Sequence, residues 1–227
     1  MAKIIAVANL KGGAGKSTTT INLAAACEMA GIPTAIIDID PEQQAAARWN
    51  DTRTAERPIV VSAVYTRLAL SIAEQERAGA TLIFIDCPAY EPKYTNEAVK
   101  VADLVLIPCR TTVQDIQYLP TTIEIAAARE KPAAVVLNAV EPQLRETEQA
   151  KTFITKAGIA LAPVYLSKAV AYHRAITAGL GVTEFEPTGK AAQEILSLLS
   201  WISRLLDFSN DLPVEELNQT PRRSSSR

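Results

Sequence analysis

Short apolar runs alternate with helix-length segments along most of the chain, and several runs are apolar at consecutive positions. Such runs are typical of strands that are covered on both faces, as in parallel sheets. They predict strands over residues 3–8, 34–39, 59–63, 81–85, 104–108, 133–137 and 159–164. The other segments predict helices over residues 17–30, 42–51, 66–78, 92–101, 113–129, 145–157, 169–178 and 190–206, the last with amphipathic spacing.

This alternation predicts an α/β fold, in which a mostly parallel sheet is flanked by helices on both faces. Ligands of such sheets bind beyond the carboxyl ends of the strands, so the residues that follow each strand are the first candidates for chemistry. We expect one domain over residues 1–208. Residues 209–227 contain few core-forming residues and are expected to be a disordered polar tail.

The composition is that of a globular chain with balanced charge. Of 227 residues, 48% are hydrophobic, which is enough for one sizeable core. The 23 Lys and Arg residues nearly balance 25 Asp and Glu, so any binding to DNA has to come from a local patch. Cys27, Cys87 and Cys109 are widely spaced in apolar contexts and predict reduced core residues, not a zinc site or a disulfide framework. No apolar stretch approaches about 18 residues, and we expect a soluble, cytoplasmic protein.

A glycine-rich stretch, NLKGGAGKST at residues 9–18, lies where the first predicted strand passes into the first helix. Glycines allow successive backbone N–H groups to turn toward an anion, and the following helix adds roughly half a positive charge at its N-terminus. In a general P-loop, Lys16 would reach the β- and γ-phosphates and Ser17 would hold Mg²⁺. Here Leu10 replaces the leading glycine, and a second lysine, Lys11, precedes the double glycine.

Two later strands end in carboxylates. Asp38 and Asp40 close the second predicted strand, in IDIDPEQ, and Asp86 closes the fourth, in LIFIDCP. We expect Asp38 and Asp40 to face the same strand-end crevice as the glycine-rich loop. A carboxylate at the position of Asp86 can bind Mg²⁺ through water, where charge builds up in phosphoryl transfer.

These motifs resemble those of the ParA/MinD family of ATPases, whose deviant Walker A motif carries the additional lysine. The chain looks most like a small ParA-type partition ATPase without an N-terminal helix-turn-helix domain. The resemblance implies a P-loop NTPase with ATP and Mg²⁺ as cofactors, in which Lys11 reaches the nucleotide of the partner subunit. The implied phosphate-binding residues are Lys11, Gly12, Gly13, Ala14, Gly15, Lys16, Ser17 and Thr18.

The resemblance also implies roles for the acidic residues. Asp40 would orient the attacking water, and Asp38 would belong to the same network of Mg²⁺ and water, with Glu42 in the place of the usual Gln. The implied catalytic residues are Lys11, Lys16, Asp40 and Asp38. The implied metal-binding residues are Ser17, Asp86 and Asp40.

Further residues are implied for the base and for DNA. Asn138 follows a predicted strand at the position where family members read the adenine edge, although an asparagine there is also a common turn former. Pro163 begins a stretch whose backbone would complete the base pocket. ParA-like proteins contact DNA phosphates through basic residues near the closing helix, without reading sequence. The candidates here are Lys168, Arg174, Lys190 and Arg204, which are otherwise ordinary solvated surface residues.

The resemblance implies an ATPase that forms an ATP-bound sandwich dimer, binds DNA non-specifically and drives plasmid or chromosome partition, or positions another cargo. Hydrolysis to ADP and phosphate would be slow until a ParB-type or other small adaptor protein stimulates it, since an arginine-finger contribution is worth about 10³–10⁵ in rate. We expect a cytoplasmic, nucleoid-associated homodimer that does not bind membranes.

Two alternatives remain open. A MinD-like membrane-positioning ATPase would end in a short basic amphipathic helix, against which Glu215, Glu216 and Pro221 argue. The other is a metabolic enzyme on a related P-loop fold. A ligase of this kind would not need a lysine that acts in the partner subunit, and a reductase of the nitrogenase-iron-protein type would need cysteines spaced for a cluster between subunits, which Cys87 and Cys109 do not match.

Overall fold

Strands and helices alternate along residues 1–207, the part of the chain that the computed structural model describes. The strands are β1 Lys3–Val7, β2 Thr34–Asp38, β3 Ile59–Ser62, β4 Leu82–Asp86, β5 Leu104–Cys109, β6 Ala133–Leu137 and β7 Ala160–Leu161. The first five helices are α1 Lys16–Met29, α2 Ala45–Thr52, α3 Leu68–Arg77, α4 Pro92–Val101 and α5 Val113–Ile116. They are followed by α6 Leu119–Ala127, α7 Arg145–Lys156, α8 Val170–Thr177, α9 Val182–Phe185 and α10 Lys190–Leu205, and a 3-10 turn, Tyr65–Arg67, precedes α3.

The strands form one sheet in the order β3-β2-β4-β1-β5-β6-β7, and its pairings are parallel. Strand β1 therefore lies near the centre, between β4 and β5. The register pairs Val7 of β1 with Asp86 of β4, and Asp38 of β2 with the same Asp86. The sequence motifs that follow β1, β2 and β4 consequently meet at one edge of the sheet.

Helices cover both faces of the sheet, as the unbroken apolar runs predict. In β4, Phe84 packs into the cluster that contains the buried residues of α1 and α10, whereas Ile83 and Ile85 pack into the cluster beneath α4 and α7. The strand is therefore buried on both sides, which explains its consecutive apolar positions. Cys27, Cys87 and Cys109 are buried free thiols, in agreement with the expectation that they are core residues.

Two predicted elements differ from the structure. Residues 113–129 form two helices, α5 and α6, because Pro120 lies in the first turn of α6 and cannot continue a helix from α5. The predicted strand at residues 159–164 is reduced to Ala160–Leu161, and Pro163 follows it without an N–H group to donate.

The tail predicted at residues 209–227, and residue 208 before it, lie outside the described residues. None of the helices within residues 1–207 is long and apolar enough to cross a membrane.

Helix α1 is buried between the sheet and the two helices α9 and α10, so that its neighbours approach it closely. The side chain of Asn22 accepts a hydrogen bond from the backbone N–H of Val182 at 2.7 Å. A Cβ atom on Gly181 would lie 2.6 Å from the Cβ of Ala25. The start of α9 is therefore packed against α1 with no room for a methyl group.

We expect Gly181→Ala to lower the free energy of unfolding by about 1–3 kcal/mol, because the added methyl overpacks the contact between α1 and α9. Urea unfolding measures this change. The matched variant Ala25→Gly removes the opposing methyl, and in the double variant the cost of the Gly181 substitution should shrink. Equal costs of Gly181→Ala in both backgrounds would contradict this account of the contact.

Candidate nucleotide-binding site

The glycine-rich loop between β1 and α1 is shaped for an anion. Gly13 and Gly15 have φ angles of 72° and 96°, in the left-handed region that glycine adopts readily. Gly15 is the N-cap of α1 and provides no side-chain cap, so an anion could accept from the first N–H groups of the helix. A Cβ atom on Gly15 would also overlap the side-chain amide of Asn138. This position therefore requires glycine for both conformation and space.

Lys16, the first residue of α1, is held inside this loop. Its side chain is buried, and Nζ donates to the backbone carbonyl of Lys11 at 3.3 Å. Burial lowers the pKa of Lys16, while the nearby carboxylate of Asp86 acts in the opposite direction. An ammonium group with one backbone acceptor and little solvent is suited to receive a phosphate oxygen.

Asp86, the last residue of β4, is a buried carboxylate that the described residues satisfy incompletely. Oδ1 accepts from Thr20 Oγ1 at 3.5 Å, and Oδ2 has no hydrogen-bond partner within residues 1–207. Burial, followed by the charge of Asp38, raises the pKa of Asp86 to about 7, although Ser17 and Lys16 act to lower it. An unpaired buried oxygen beside the Ser17 hydroxyl fits a water-bridged Mg²⁺, which is the group that the fold implies here.

The described residues contain no cluster of three or more His, Cys, Asp or Glu side chains that could hold a metal ion. In a P-loop site, Mg²⁺ keeps several waters and takes its remaining ligands from phosphates and one or two side chains. Ser17 and Asp86 are the side chains suited to this role.

Asp38 and Asp40 organise the segment after β2 in different ways. Asp38 Oδ2 accepts from the backbone N–H groups of Ala46 and Ala47 at 3.0 and 3.1 Å, and its Oδ1 accepts from that of Asp40 at 3.0 Å. Asp38 therefore caps the start of α2, although it lies several residues before that helix in the sequence. Burial raises the pKa of Asp38, and these hydrogen bonds oppose the rise.

Asp40 uses only one of its oxygens in this segment. Oδ1 accepts from the backbone N–H groups of Glu42 and Gln43 at 3.0 and 2.9 Å, and Oδ2 accepts no hydrogen bond from the described residues. Asp40 also contributes to the charge felt by Lys16. The geometry thus leaves one oxygen of Asp40 near the loop, whereas both oxygens of Asp38 are used by the backbone.

Asn138, directly after β6, contacts the glycine-rich loop. Its Nδ2 donates to the carbonyl of Ala14 at 2.8 Å, and its Oδ1 accepts from the N–H of Ala139 at 2.8 Å. An amide in this arrangement supports the loop, and it can read an adenine only after exchanging these partners.

Pro163 follows the short strand β7. It is exposed and lines a groove of about 580 Å³ against α10, together with Lys190 and Arg204 and without any residue of the glycine-rich loop. Arg174 is exposed on α8. Pro163 therefore shares this groove with two basic candidates, Lys190 and Arg204, and not with the phosphate-binding residues.

The basic candidates near α10 are partly paired with carboxylates. Lys168 Nζ donates to Glu141 at 2.9 Å, and Lys190 Nζ lies 3.8 Å from a carboxylate oxygen of Glu194. Lys168, Lys190 and Glu141 line a second groove of about 550 Å³. Lys190 lines both grooves, so three of the four candidates occupy one continuous edge of the molecule.

Three residues near the loop were not predicted from the sequence. The ring of Tyr90 lies against Gly12, where a Cβ atom would be 2.8 Å from Tyr90 Oη, and Arg110 Nη2 lies 4.0 Å from the Cβ position of Gly13. Lys11 Nζ lies over the ring of Tyr118, 5.7 Å from its centroid. The pairing of β1 with β4 and β5 was the signal that could have indicated Tyr90 and Arg110, since both follow these strands.

Comparison with known proteins agrees with this geometry. The profile of the CobQ/CobB/MinD/ParA nucleotide binding domain matches residues 5–182. The chain belongs to this family. The resemblance of its motifs to ParA/MinD ATPases is thereby confirmed.

Relatives of this ParA/MinD-family chain match most of its length. The maintenance of carboxysome distribution protein A of Halothiobacillus neapolitanus is 29% identical over 205 residues, covering 86% of this chain and 94% of that protein. Protein ParA of Rhizobium radiobacter is 28% identical over 151 residues, covering 64% and 68%. The septum site-determining protein MinD of Pyrococcus horikoshii, solved with Mg-ADP, has a TM-score of 0.72 at 17% identity, covering 92% of this chain and 99% of that one. The last likeness shows the fold, and its ligand agrees with the expected ATP and Mg²⁺ cofactors.

The buried carboxylate of this ParA/MinD-family site predicts an unusual pH dependence of stability. Because the pKa of Asp86 rises to about 7 from 3.8, the nucleotide-free fold binds one more proton than the unfolded chain between these values, and stability falls as pH rises through that window. Asp86→Asn removes this titration. We expect the variant to gain roughly 2–3 kcal/mol relative to the wild type between pH 5 and pH 8.

Urea unfolding in EDTA at the two pH values measures this difference. Asp51→Asn, at an exposed position of α2, is the matched control and should follow the wild type at both. Parallel behaviour of the wild type and Asp86→Asn across the window would show that the carboxylate is already ionised in the fold.

Proposed function

We propose that this chain is a Mg²⁺-dependent ATPase of the ParA type, which dimerises on ATP, binds DNA non-specifically and positions a cargo until hydrolysis releases it. Two features at the glycine-rich loop carry the proposal: a buried lysine, Lys16, that senses the charge of Asp86, and a buried oxygen of Asp86 that has no partner among the described residues. The loop itself has the backbone conformation of an anion-binding turn. Membership of the ParA/MinD family and relatives named for carboxysome distribution and as ParA support it.

The residues divide the chemistry of hydrolysis between them. The loop N–H groups and Lys16 would bind phosphate oxygens, and Ser17 and Asp86 would hold Mg²⁺, which would supply positive charge to the phosphates during transfer. The free oxygen of Asp40 orients the attacking water. Asp38 supports this step indirectly, because it fixes the N–H of Asp40 and the start of α2. The adenine lies near Asn138, whose amide exchanges the Ala14 carbonyl for the base.

Lys11 contributes through two separate groups. Its backbone carbonyl holds Lys16 of the same subunit, whereas its ammonium lies over Tyr118 and is available to a second copy of the chain. In the proposed sandwich dimer the ammonium reaches the phosphates of the partner subunit, so each site is complete only when two subunits meet. A ParB-type or other small adaptor protein then supplies the group that accelerates hydrolysis.

The proposed DNA surface is the edge along α10 that carries Lys168, Lys190 and Arg204. The Lys168–Glu141 pair does not block this edge, because an ion pair between exposed side chains is weak and a phosphate can replace the carboxylate. Glu194 is buried, and its carboxylate oxygen lies 3.8 Å from the exposed ammonium of Lys190, beyond hydrogen-bond distance. Within the described residues, the Arg204 side chain donates one hydrogen bond, to Ser200 Oγ at 2.9 Å. Such contacts position DNA and carry no sequence information. The protein is therefore proposed to act in the cytoplasm on the nucleoid.

Lys11→Ala tests the shared site. We expect the variant to bind ATP and to lose both ATP-dependent dimerisation and retention on non-specific DNA at stated salt, because the ammonium is needed only across the dimer. Lys3→Ala, at an exposed lysine of β1, is the control and should behave as the wild type. DNA retention by monomeric Lys11→Ala would refute the sandwich dimer. ATP-dependent sedimentation of the wild type with anionic vesicles would instead favour the MinD-like alternative.

The double variant Lys190→Ala/Arg204→Ala tests the DNA surface. Each lost phosphate contact should flatten the dependence of log affinity on log salt by about 1, so we expect a decrease of about 2 per subunit with no preference among sequences. Filter binding across a salt series measures the slope. The matched control, Arg129→Ala/Lys156→Ala, removes two exposed basic residues elsewhere. An equal loss of slope in both double variants would assign the effect to net charge and not to this edge.

A further inference from the structure

The ammonium group of Lys11 rests on an aromatic ring of its own subunit. Nζ lies 5.7 Å from the centroid of Tyr118, within the range of a cation–π contact, and Lys11 forms no ion pair with the described residues. Tyr118 is 37% exposed, so the contact is accessible from outside the subunit. The Lys11 ammonium, which the proposed function requires at a second subunit, therefore already has a partner within its own subunit.

The ring that holds Lys11 is itself fixed to the glycine-rich loop. Tyr118 is the N-cap of α6, and its ring meets that of Tyr90 edge-on, with centroids 6.5 Å apart and an interplanar angle of 82°. The ring of Tyr90 lies on Gly12, and its backbone N–H donates to the carbonyl of Leu10 at 2.9 Å. Lys11 thus contacts Tyr118, Tyr118 contacts Tyr90, and Tyr90 returns to the loop beside Lys11.

Tyr90 occupies a backbone conformation that its side chain disfavours. Its φ angle is 61°, in the left-handed region that residues other than Gly, Asn and Asp seldom adopt. The hydrogen bond to Leu10 and the ring contact with Gly12 maintain this conformation. The aromatic pair is therefore positioned by the loop.

We propose that Tyr118 is a positioning residue that retains the Lys11 ammonium within its own subunit until a second copy of the chain presents a nucleotide phosphate. This inference rests on the proposed sandwich dimer. A phosphate is a stronger partner for an ammonium than a ring, so the exchange proceeds when the dimer forms. The ring contact nevertheless opposes dimerisation, and it does so twice because the dimer contains two copies of Lys11.

Removal of the ring should therefore favour the dimer. We expect Tyr118→Leu to dimerise on a non-hydrolysable ATP analogue with Mg²⁺ at a concentration about 5- to 30-fold lower than the wild type. Tyr118→Phe keeps the ring face and should remain within about twofold of the wild type. Sedimentation equilibrium measures the dissociation constants. Lys151→Ala removes a comparable contact, with the ring of Tyr165 at 5.8 Å, and should have no effect.

A second measurement tests the hold on Lys11 without requiring a dimer. A lysine over an aromatic ring has its side-chain protons shifted upfield, and spectra of lysine-labelled protein with Lys11→Arg as the assignment reference would identify the signal. In the nucleotide-free protein we expect the shift in the wild type and in Tyr118→Phe, and its loss in Tyr118→Leu. Addition of the analogue should remove it from the wild type as dimers form.

The two measurements separate the inference from the function on which it rests. A wild-type dimer whose Lys11 was never shifted, or equal or weaker dimerisation of Tyr118→Leu, would overturn the inference alone. A wild-type protein that stays monomeric with the analogue would overturn the proposed dimer and, with it, the release of Lys11. Tighter dimerisation in Tyr118→Leu but not in Tyr118→Phe, together with the lost shift, supports the proposal.

Discussion

The register between β1, β2 and β4 is the constraint on which the rest of the site depends. It sets Asp38 and the end of β1 on either side of Asp86, so that three strand ends deliver charged or anion-binding groups to one buried edge. Burial, followed by the charge of Asp38, raises the pKa of Asp86, and burial also raises the pKa of Asp38. A lysine alone does not balance them. The strand pairing that stabilises the sheet therefore also gathers two carboxylates near a single buried lysine.

The two carboxylates after β2 show how one short segment serves both the fold and the chemistry. Asp38 gives both oxygens to backbone N–H groups and so fixes the path of residues 40–47. Asp40 keeps one oxygen free of the described residues because its other oxygen makes the turn. A substitution at Asp38 therefore disturbs Asp40 and α2 together, and lost activity would not by itself make Asp38 a catalytic residue.

Much of the fold could be predicted because it follows from patterns between residues that are close in the sequence. Consecutive apolar runs identified the buried strands, and strand-end carboxylates with a glycine-rich turn identified the crevice, since carboxyl ends of parallel strands share an edge. The roles of Tyr90, Arg110 and Tyr118 could not be found this way, because their proximity to the loop depends on which strands pair and on where Pro120 interrupts the helix. Asn138 was found by position, but its hydrogen bond to Ala14 depends on side-chain packing that no spacing encodes.

Lys11 connects the phosphate site with the surface of the subunit. Its carbonyl accepts from Lys16, its N–H donates to Asn9 Oδ1 at 2.9 Å, and its side chain lies on Tyr118. When Lys16 leaves that carbonyl for a phosphate, the peptide that carries the Lys11 side chain loses one of its restraints. Nucleotide binding at Lys16 and the freedom of the Lys11 side chain are then linked through the backbone of Lys11. This linkage gives a physical reason for a loop with a lysine on each side of its glycines, because the freedom of Lys11 depends on whether Lys16 has bound a phosphate.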